Sequence, residues 1–391
     1  MTIASEVAIF KNNLSESYAT VLDKGGVIPN VKSFNNLPLC IDSLVTKKFG
    51  VTLPTIIGEI DSNGTLQFPN VPLNIDFSGV KDLGAFLLYG CFSHSPVVVS
   101  VSFPDLENAS GNYGLLNSFD TCPNLISVSF PKLKTITGYE TFLNSFNNNT
   151  GLTSISFPEL TTISGDVATG DDTVISNSFA NSFQNCTNLI TASFPKLSSV
   201  TGRQDCAAFL ANCTSLTTVD LSGMVNVEAN AAFVQAFSGC TSLTTVYLNN
   251  LETVTNVNGF NQAFAGCTAL TSLDLGKLTT ISGSQAFYGA LFNCNHLTSV
   301  DLSSLTTISG GNAFQYAFYN CSSLTSLSFP SLTSAGLGSV TSQFDNMLVG
   351  CSDVIVHFPS NLQSVIGSWT SVTNGFGGTN TNVLFDLTAT S

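Results

Sequence analysis

Charge is what this chain of 391 residues has least of: Asp, Glu, Lys and Arg together make up 9% of it. Histidine is scarcer still. His94, His296 and His357 are scattered, and none stands beside a Ser or Cys in a nucleophile context. Catalysis needs positioned acids, bases and nucleophiles, so the sequence argues against an enzyme and assigns no catalytic residue. No glycine loop follows a strand to cradle phosphate, and no His/Cys spacing suits zinc. Neither a metal nor a cofactor is expected. No stretch reaches the roughly 18 apolar residues that cross a bilayer. The start, Met1-Thr2-Ile3-Ala4-Ser5-Glu6, lacks the basic and apolar segments of a secretion signal. Basic residues are the rarest charges, with 11 Lys and Arg against 25 Asp and Glu. Residues 1–60 hold five Lys and five acids, so the excess falls after residue 60, where 6 − 20 = −14. An acidic body repels nucleic acid and anionic membranes, which argues against both as partners.

Repetition is what the chain has instead. Cysteines stand at 213, 240, 267, 294 and 321, each gap being 27 residues. Around each recurs Phe-x-x-x-Phe-x-x-Cys, then x-x-Leu-x-x-Val/Leu-x-Leu. A fixed period in this range is the mark of a solenoid, whose coils pack only on their neighbours. The same slot holds Cys91, Cys122, Asn149, Cys186 and Cys351, with an insertion of ten residues between Asn149 and Cys186, around 165–173. Cysteines that recur once per coil lie about a strand spacing apart with parallel side chains, a poor disposition for disulfides. They read as buried free thiols, and Cys206, where other coils carry the first Phe, as a small buried hydrophobe. The Asn-x-Ser/Thr triplets at Asn185, Asn212 and Asn320 read as turn residues, and Asp166, Asp171 and Asp172 as a solvated loop rather than a calcium site.

Within the coil 233–259, Phe233, Phe237 and Cys240 at i, i+4 and i+7 predict about two helical turns. Leu243-Thr244-Thr245-Val246-Tyr247-Leu248 predicts a strand with Leu243, Val246 and Leu248 inward, and Leu251 and Val254 mark a second extended segment. Phe-Pro follows the first strand in several coils and turns the chain. Near the start, Ile3, Val7, Phe10, Leu14 and Val21 predict a helix over 2–23, closed by Lys24-Gly25-Gly26, with a second over about 33–47. The seam in 3–21 would permit a homotrimer. Beyond Cys351, Val354 to Leu362 predicts a closing strand and Trp369 a cover for the last coil, while Val383-Leu384-Phe385 predicts a final strand.

Two columns of side chains should face outward from the first strands. One is a hydroxyl ladder: Ser127, Ser154, Thr191, Thr218, Thr245, Ser272, Ser299 and Ser326. The other varies: Ser129, Ser156, Ser193, Asp220, Tyr247, Asp274, Asp301 and Ser328. A tyrosine between carboxylates suits stacking on a sugar, or a basic protein loop. These eight residues are the candidate ligand-binding site.

The Ala-Phe turn, Cys-x-x-Leu and apolar-Pro-x-x-Leu words over 84–351 resemble the BspA-type leucine-rich repeat, although 27 residues per coil is long for that family. Ile3-Ala4-Ser5-Glu6-Val7, Lys24-Gly25-Gly26 with Pro29, and Leu37…Ile41-Asp42-Ser43-Leu44 resemble a module that begins tail-fibre proteins of phages and prophages of gut bacteria. The resemblances imply an α/β leucine-rich-repeat solenoid with parallel strands, about ten coils of 27 residues and an N-terminal helical module. Its parts would be a helical attachment module (1–50), an opening cap and degenerate coil (51–90), the solenoid (91–351) and a C-terminal cap (352–391). They further imply a non-enzymatic binding protein: a tail-associated receptor-binding protein of a virion, docked to tail proteins through 1–50 and recognising a host-surface protein or glycan. The alternative is a surface adhesin of a bacterium or protist. A carbohydrate-active enzyme ranks last.

Overall fold

A computed structural model describes residues 59–60, 66–67, 72–85, 87–90, 92–165, 175–333, 337, 342–369, 372 and 374–388. The helical module expected over 1–50, Cys40, Cys91 and the acidic insertion residues Asp166, Asp171 and Asp172 lie outside them.

The chain winds as a solenoid with eleven first strands, one per coil, from Leu73–Asp76 to Ile355–Pro359. These strands pair in parallel in four successive ladders, and within the ladder Ser154–Ser156 to Thr245–Tyr247 they do so without slippage. Thr191 lies opposite Ser154 and Thr218, and Val219 opposite Val246. A second ladder runs beside the first, with Thr135–Ile136, Thr162–Ile163 and Ser199–Val200 in parallel register. Each such pair puts Thr or Ser outward and its apolar neighbour into the core.

The third side of the coil corrects the sequence reading. No helix forms around Phe233, Phe237 and Cys240; the segment is a run of turns. Ala231, Gln235 and Gly239 hold φ of 57°, 54° and 75°, a left-handed conformation that α-helices of L-residues exclude. Between them the N–H groups alternate in direction. Those of Phe233, Gln235, Phe237 and Gly239 donate to the carbonyls of Gly259, Asn261, Ala263 and Ala265 in the next coil. Those of Val234, Ala236, Ser238 and Cys240 donate three residues back, to Ala231, Phe233, Gln235 and Phe237. Turns and helix share a four-residue step, so the same inward spacing serves both. An α/β repeat is therefore not what forms; all three sides are joined by coil-to-coil hydrogen bonds.

Because the ladders fix the rise per coil, equivalent side chains must stack. Phe119, Phe146 and Phe183 stack at 5.4 and 5.2 Å between ring centroids, and Phe237 and Phe264 at 5.2 Å. Such pairs contribute about 0.5–1.5 kcal/mol each beyond their buried area. The cysteine column lies alongside. All nine described cysteines are buried and unpaired. Each thiol of the repeat slot bonds a carbonyl of the preceding coil: Cys213 that of Phe183 at 3.2 Å, Cys240 that of Leu210 at 3.2 Å, Cys267 that of Phe237 at 3.3 Å. Asn149 takes the slot with the same bond, its Nδ2 donating to the Phe119 carbonyl at 2.9 Å while its Oδ1 accepts from the Cys122 N–H. Cys206 is fully buried as expected, and the volume it leaves is filled by Phe209, which meets Phe194 and Phe237 edge-on.

The coil after the insertion carries a buried carboxylate. Asp205 Oδ2 accepts from the N–H groups of Gly165, at 3.1 Å, and Gly202, at 2.8 Å. Its Oδ1 accepts from the Ser178 N–H at 3.0 Å and from the Ser176 hydroxyl. Gly165 precedes the insertion and Ser176 follows it, so one side chain clamps both of its ends. At the far end, Asn382–Leu387 pairs in parallel with Ile355–Pro359, and Trp369 packs at 6.1 Å from the Phe344 ring.

Burial raises the thiols from their ordinary 9.0 to about 12 for Cys122, Cys186, Cys240 and Cys294, and to about 11 for Cys351. Unfolded thiols ionise above pH 9 while folded ones keep their protons, so unfolding releases protons there. Stability is then full below pH 9 and falls toward pH 12 by about 1.4 kcal/mol per thiol per pH unit. Urea titrations from pH 7 to 10.5 should show the midpoint dropping steeply above 9. Asp205→Ala orphans three buried N–H groups and should cost 3 kcal/mol or more, roughly, in a chemical melt, whereas Cys206→Ala should cost less than about 2.

Candidate functional site

The first strands carry the predicted columns in register. Ser102 and Ser129 share one ladder, Ser156, Ser193, Asp220 and Tyr247 a second, Asp274 and Asp301 a third, and Ser328 and His357 a fourth. The structure thus sets Asp220 beside Tyr247 and Asp274 beside Asp301. The Tyr247 side chain stands well out of the surface, 48% exposed. The remaining serines, Ser129, Ser156, Ser193 and Ser328, continue the column on either side of this acidic stretch, and His357 extends it beyond them. The His357 imidazole lies 3.0 Å from the Asp386 carboxylate.

The carboxylates also have local work. Asp220 Oδ1 accepts from the Ser222 N–H at 3.0 Å, Asp274 from Gly276 at 2.9 Å and Asp301 from Ser303 at 2.9 Å. Each caps the turn that leaves its strand, an Asx turn. Serine holds this position where the residue two places on is Pro131, Pro158, Pro195 or Pro330, which has no N–H to cap. Aspartate appears where that residue is Ser222, Gly276 or Ser303. Each carboxylate keeps its second oxygen outside that bond. The acidic patch is therefore a consequence of how these three coils turn as well as a surface available to a ligand.

Electrostatics sharpen the contrast between the two halves. Lys132–Asp105, Lys134–Glu107 and Lys196–Glu159 join neighbouring coils at 2.7, 2.8 and 2.8 Å. The Lys132 hydrogen bond holds the Asp105 carboxyl below its usual range. Being exposed, such pairs add little stability. From Asp220 onward the sequence contains a single cation, Lys277, and its ammonium bonds Asn250 Oδ1 at 2.6 Å. The strand face around Tyr247 is consequently acidic and unneutralised.

Two exposed residues escaped the sequence reading. Ile126 and Ile190, 56% and 48% exposed, stand in a third outward column that other coils fill with Thr. There the Thr217, Thr244 and Thr298 hydroxyls donate to the preceding coil's carbonyl at 3.1, 3.2 and 3.0 Å. The signal was present as two apolar letters in a threonine column. Asn185, Asn212 and Asn320 are turn residues, at φ of 60°, 60° and 56°, and their amides form rungs of 3.0 Å with Asn148, Asn185 and Asn293. Ser93 Oγ lies 2.7 Å from His94 Nδ1, but these are consecutive residues on an exposed turn. Among the described residues no His/Cys/Asp/Glu group could hold a metal ion, and no helix is long and apolar enough to cross a membrane.

Comparison with known proteins follows this geometry. The model of the BspA type leucine rich repeat region matches in six copies over residues 74–169, 116–256 and 234–369. No curated protein matches the chain. Among solved structures it is similar to a leucine-rich repeat protein from Bacteroides ovatus, at 18% identity, covering 85% of this chain and 99% of that one, with a TM-score of 0.31. It is similar to a leucine rich cell surface protein from Faecalibacterium prausnitzii, at 17% identity, covering 85% and 94%, with a TM-score of 0.30. The leucine rich repeat protein of T. pallidum aligns at 24% identity over 49% and 72%, with a TM-score of 0.31. At such scores the likeness carries no argument about ligands.

The capping role predicts different outcomes for two changes at one residue. Asp274→Ala removes the acceptor for the Gly276 N–H and should cost about 1 kcal/mol. Asp274→Asn keeps an acceptor and should melt within about 0.3 kcal/mol of the parent. Paired chemical denaturation curves measure both.

Proposed function

Because the chain belongs to the BspA-type leucine-rich-repeat family, we propose that it is a non-enzymatic binding protein of a cell surface, an adhesin that recognises a surface protein or glycan on another cell. The family supports this, its members being typically surface recognition proteins. The observation that carries the site is the two registered pairs Asp220–Tyr247 and Asp274–Asp301 on consecutive coils, the acidic stretch of a column that is otherwise hydroxyl. An exposed phenol ring offers a flat apolar face, and the flanking carboxylates accept hydrogen bonds from sugar hydroxyls or pair with Lys and Arg of a protein loop. Ser129, Ser156, Ser193 and Ser328 would extend the contact along the axis.

A second reading makes the chain a tail-associated receptor-binding protein of a phage, docked to tail proteins through residues 1–50, with a seam in 3–21 that would permit a trimer. It draws on the sequence words of that segment. Neighbouring genes separate the two readings: tail and lysis genes favour the virion, export or surface-anchor genes the adhesin.

The structure sharpens the mutational test, since alanine at an Asx position also loosens a turn. Asp220→Asn, Tyr247→Ala and Asp274→Asn in one chain should reduce binding to glycan arrays or target cells by about tenfold or more, with an unchanged melt. Full binding by this variant would place the ligand elsewhere on the surface.

A further inference from the structure

Aromatic residues gather on the turn side of only two adjoining coils in the C-terminal half. Tyr288 and Phe292 belong to one coil, Tyr316 and Tyr319 to the next. The Phe292 and Tyr319 rings stack across the coils at 4.4 Å with 6° between planes. Tyr288 meets Tyr316 edge-on at 5.6 Å, and Tyr316 lies 6.3 Å from Tyr319. The four rings thus form one continuous patch. None is fully buried; each is half-covered, unlike Phe287 and Phe314, which point into the core beside them.

The repeat does not require these rings. The preceding coil carries Asn261, Gln262 and Ala265 in the columns of Tyr288, Tyr316 and the Phe292–Tyr319 stack, and folds onto the same ladder. Tyr316 takes the left-handed place, at φ of 56°, that other coils fill with Asn144, Asn181, Ala208, Gln235, Gln262 or Gly289, so the ring is not what that turn calls for.

The surroundings indicate what would be recognised. Between Leu278 and Phe344 the sequence contains one charge, Asp301, which sits on the strand side; on the turn side the next coil brings one carboxylate, Asp345, whose carbonyl accepts from the Tyr316 N–H at 3.4 Å. Beside the rings lie carboxamides, with Asn320 Nδ2 donating to Asn293 Oδ1 at 3.0 Å and Gln262 Oε1 accepting from Gln235 at 2.9 Å. Rings that offer π-faces and C–H edges, with carboxamides that both donate and accept, no cation, and one bordering carboxylate that can accept from hydroxyls, match an uncharged sugar better than an acidic glycan.

We propose that Tyr288, Phe292, Tyr316 and Tyr319 form a binding site for a neutral glycan, on a different side of the solenoid from the Tyr247 column. The test exploits the repeat. Tyr288→Asn, Phe292→Ala, Tyr316→Gln and Tyr319→Ala together rebuild the surface of the preceding coil and should fold; if that chain does not, Tyr319→Ala alone carries the test. Affinity electrophoresis of the full chain in mannan, galactomannan and β-glucan gels should show retardation by at least one of them. Retardation should persist in about 0.5 M salt, weaken about tenfold in the variant, and remain in the Asp220→Asn, Tyr247→Ala, Asp274→Asn chain. That last comparison separates failure here from failure at the strand face. The proposal is overturned if no neutral polysaccharide retards the chain, if the variant is retarded equally, or if only anionic polysaccharides act. It is also overturned if the variant loses cell binding that protease treatment of the cells abolishes, which would make the partner a protein.

Discussion

A buried peptide group that finds no partner costs as much as a lost hydrogen bond, and a coil that packs only on its neighbours has few places to find one. The first and second strands solve this in the usual parallel manner. The turn side solves it by dividing its N–H groups: alternate ones reach the next coil, and those between bend back three residues within their own. A left-handed residue at every fourth position makes the alternation geometrically available. All three sides of the repeat thereby contribute bonds to the coil beyond, and the rise along the axis is set at the spacing of hydrogen-bonded strands.

That fixed rise explains the composition. Side chains at equivalent positions must stack on copies of themselves, so each column selects what stacks well. Phenylalanines do so face to face, and asparagine amides form rungs. Thiols fit because they are small, apolar enough to bury, and still able to donate to a carbonyl of the coil before. Asn149 shows that donation matters in that slot, since it supplies the same bond from an amide. Where the regular pattern is broken by an insertion, the repair is local and polar: the buried Asp205 carboxylate collects N–H groups from both sides of the break.

Much of this was legible from the residues. The register of the coils, the inward Leu243, Val246 and Leu248, the free thiols and the asparagine turns all follow from counting along one period. The turn side was misread because a four-residue step with Phe inward fits a helix and a run of left-handed turns equally. What distinguishes them is the residue type between the phenylalanines, Asn, Gln or Gly at each fourth place, a weaker signal than the hydrophobic spacing. Tyr288, Tyr316 and Tyr319 become one patch only when the turns stack coil on coil. The Asx role of Asp220, Asp274 and Asp301 could have been inferred, because aspartate alternates there with Ser-x-Pro; it needed the turn geometry to become visible.

Family and fold agree on a leucine-rich-repeat solenoid. Its two candidate faces, acidic around Tyr247 and aromatic around Tyr316, use columns where the repeat tolerates variation without disturbing the ladder. The account rests on that ladder being closed on the turn side as fully as on the strands. Amide hydrogen exchange read by mass spectrometry over residues 229–240 and 256–267 tests this directly. Protection there equal to that of the strands at 245–247 and 272–274 is the predicted result. Exchange within seconds over those segments, beside protected strands, would contradict it.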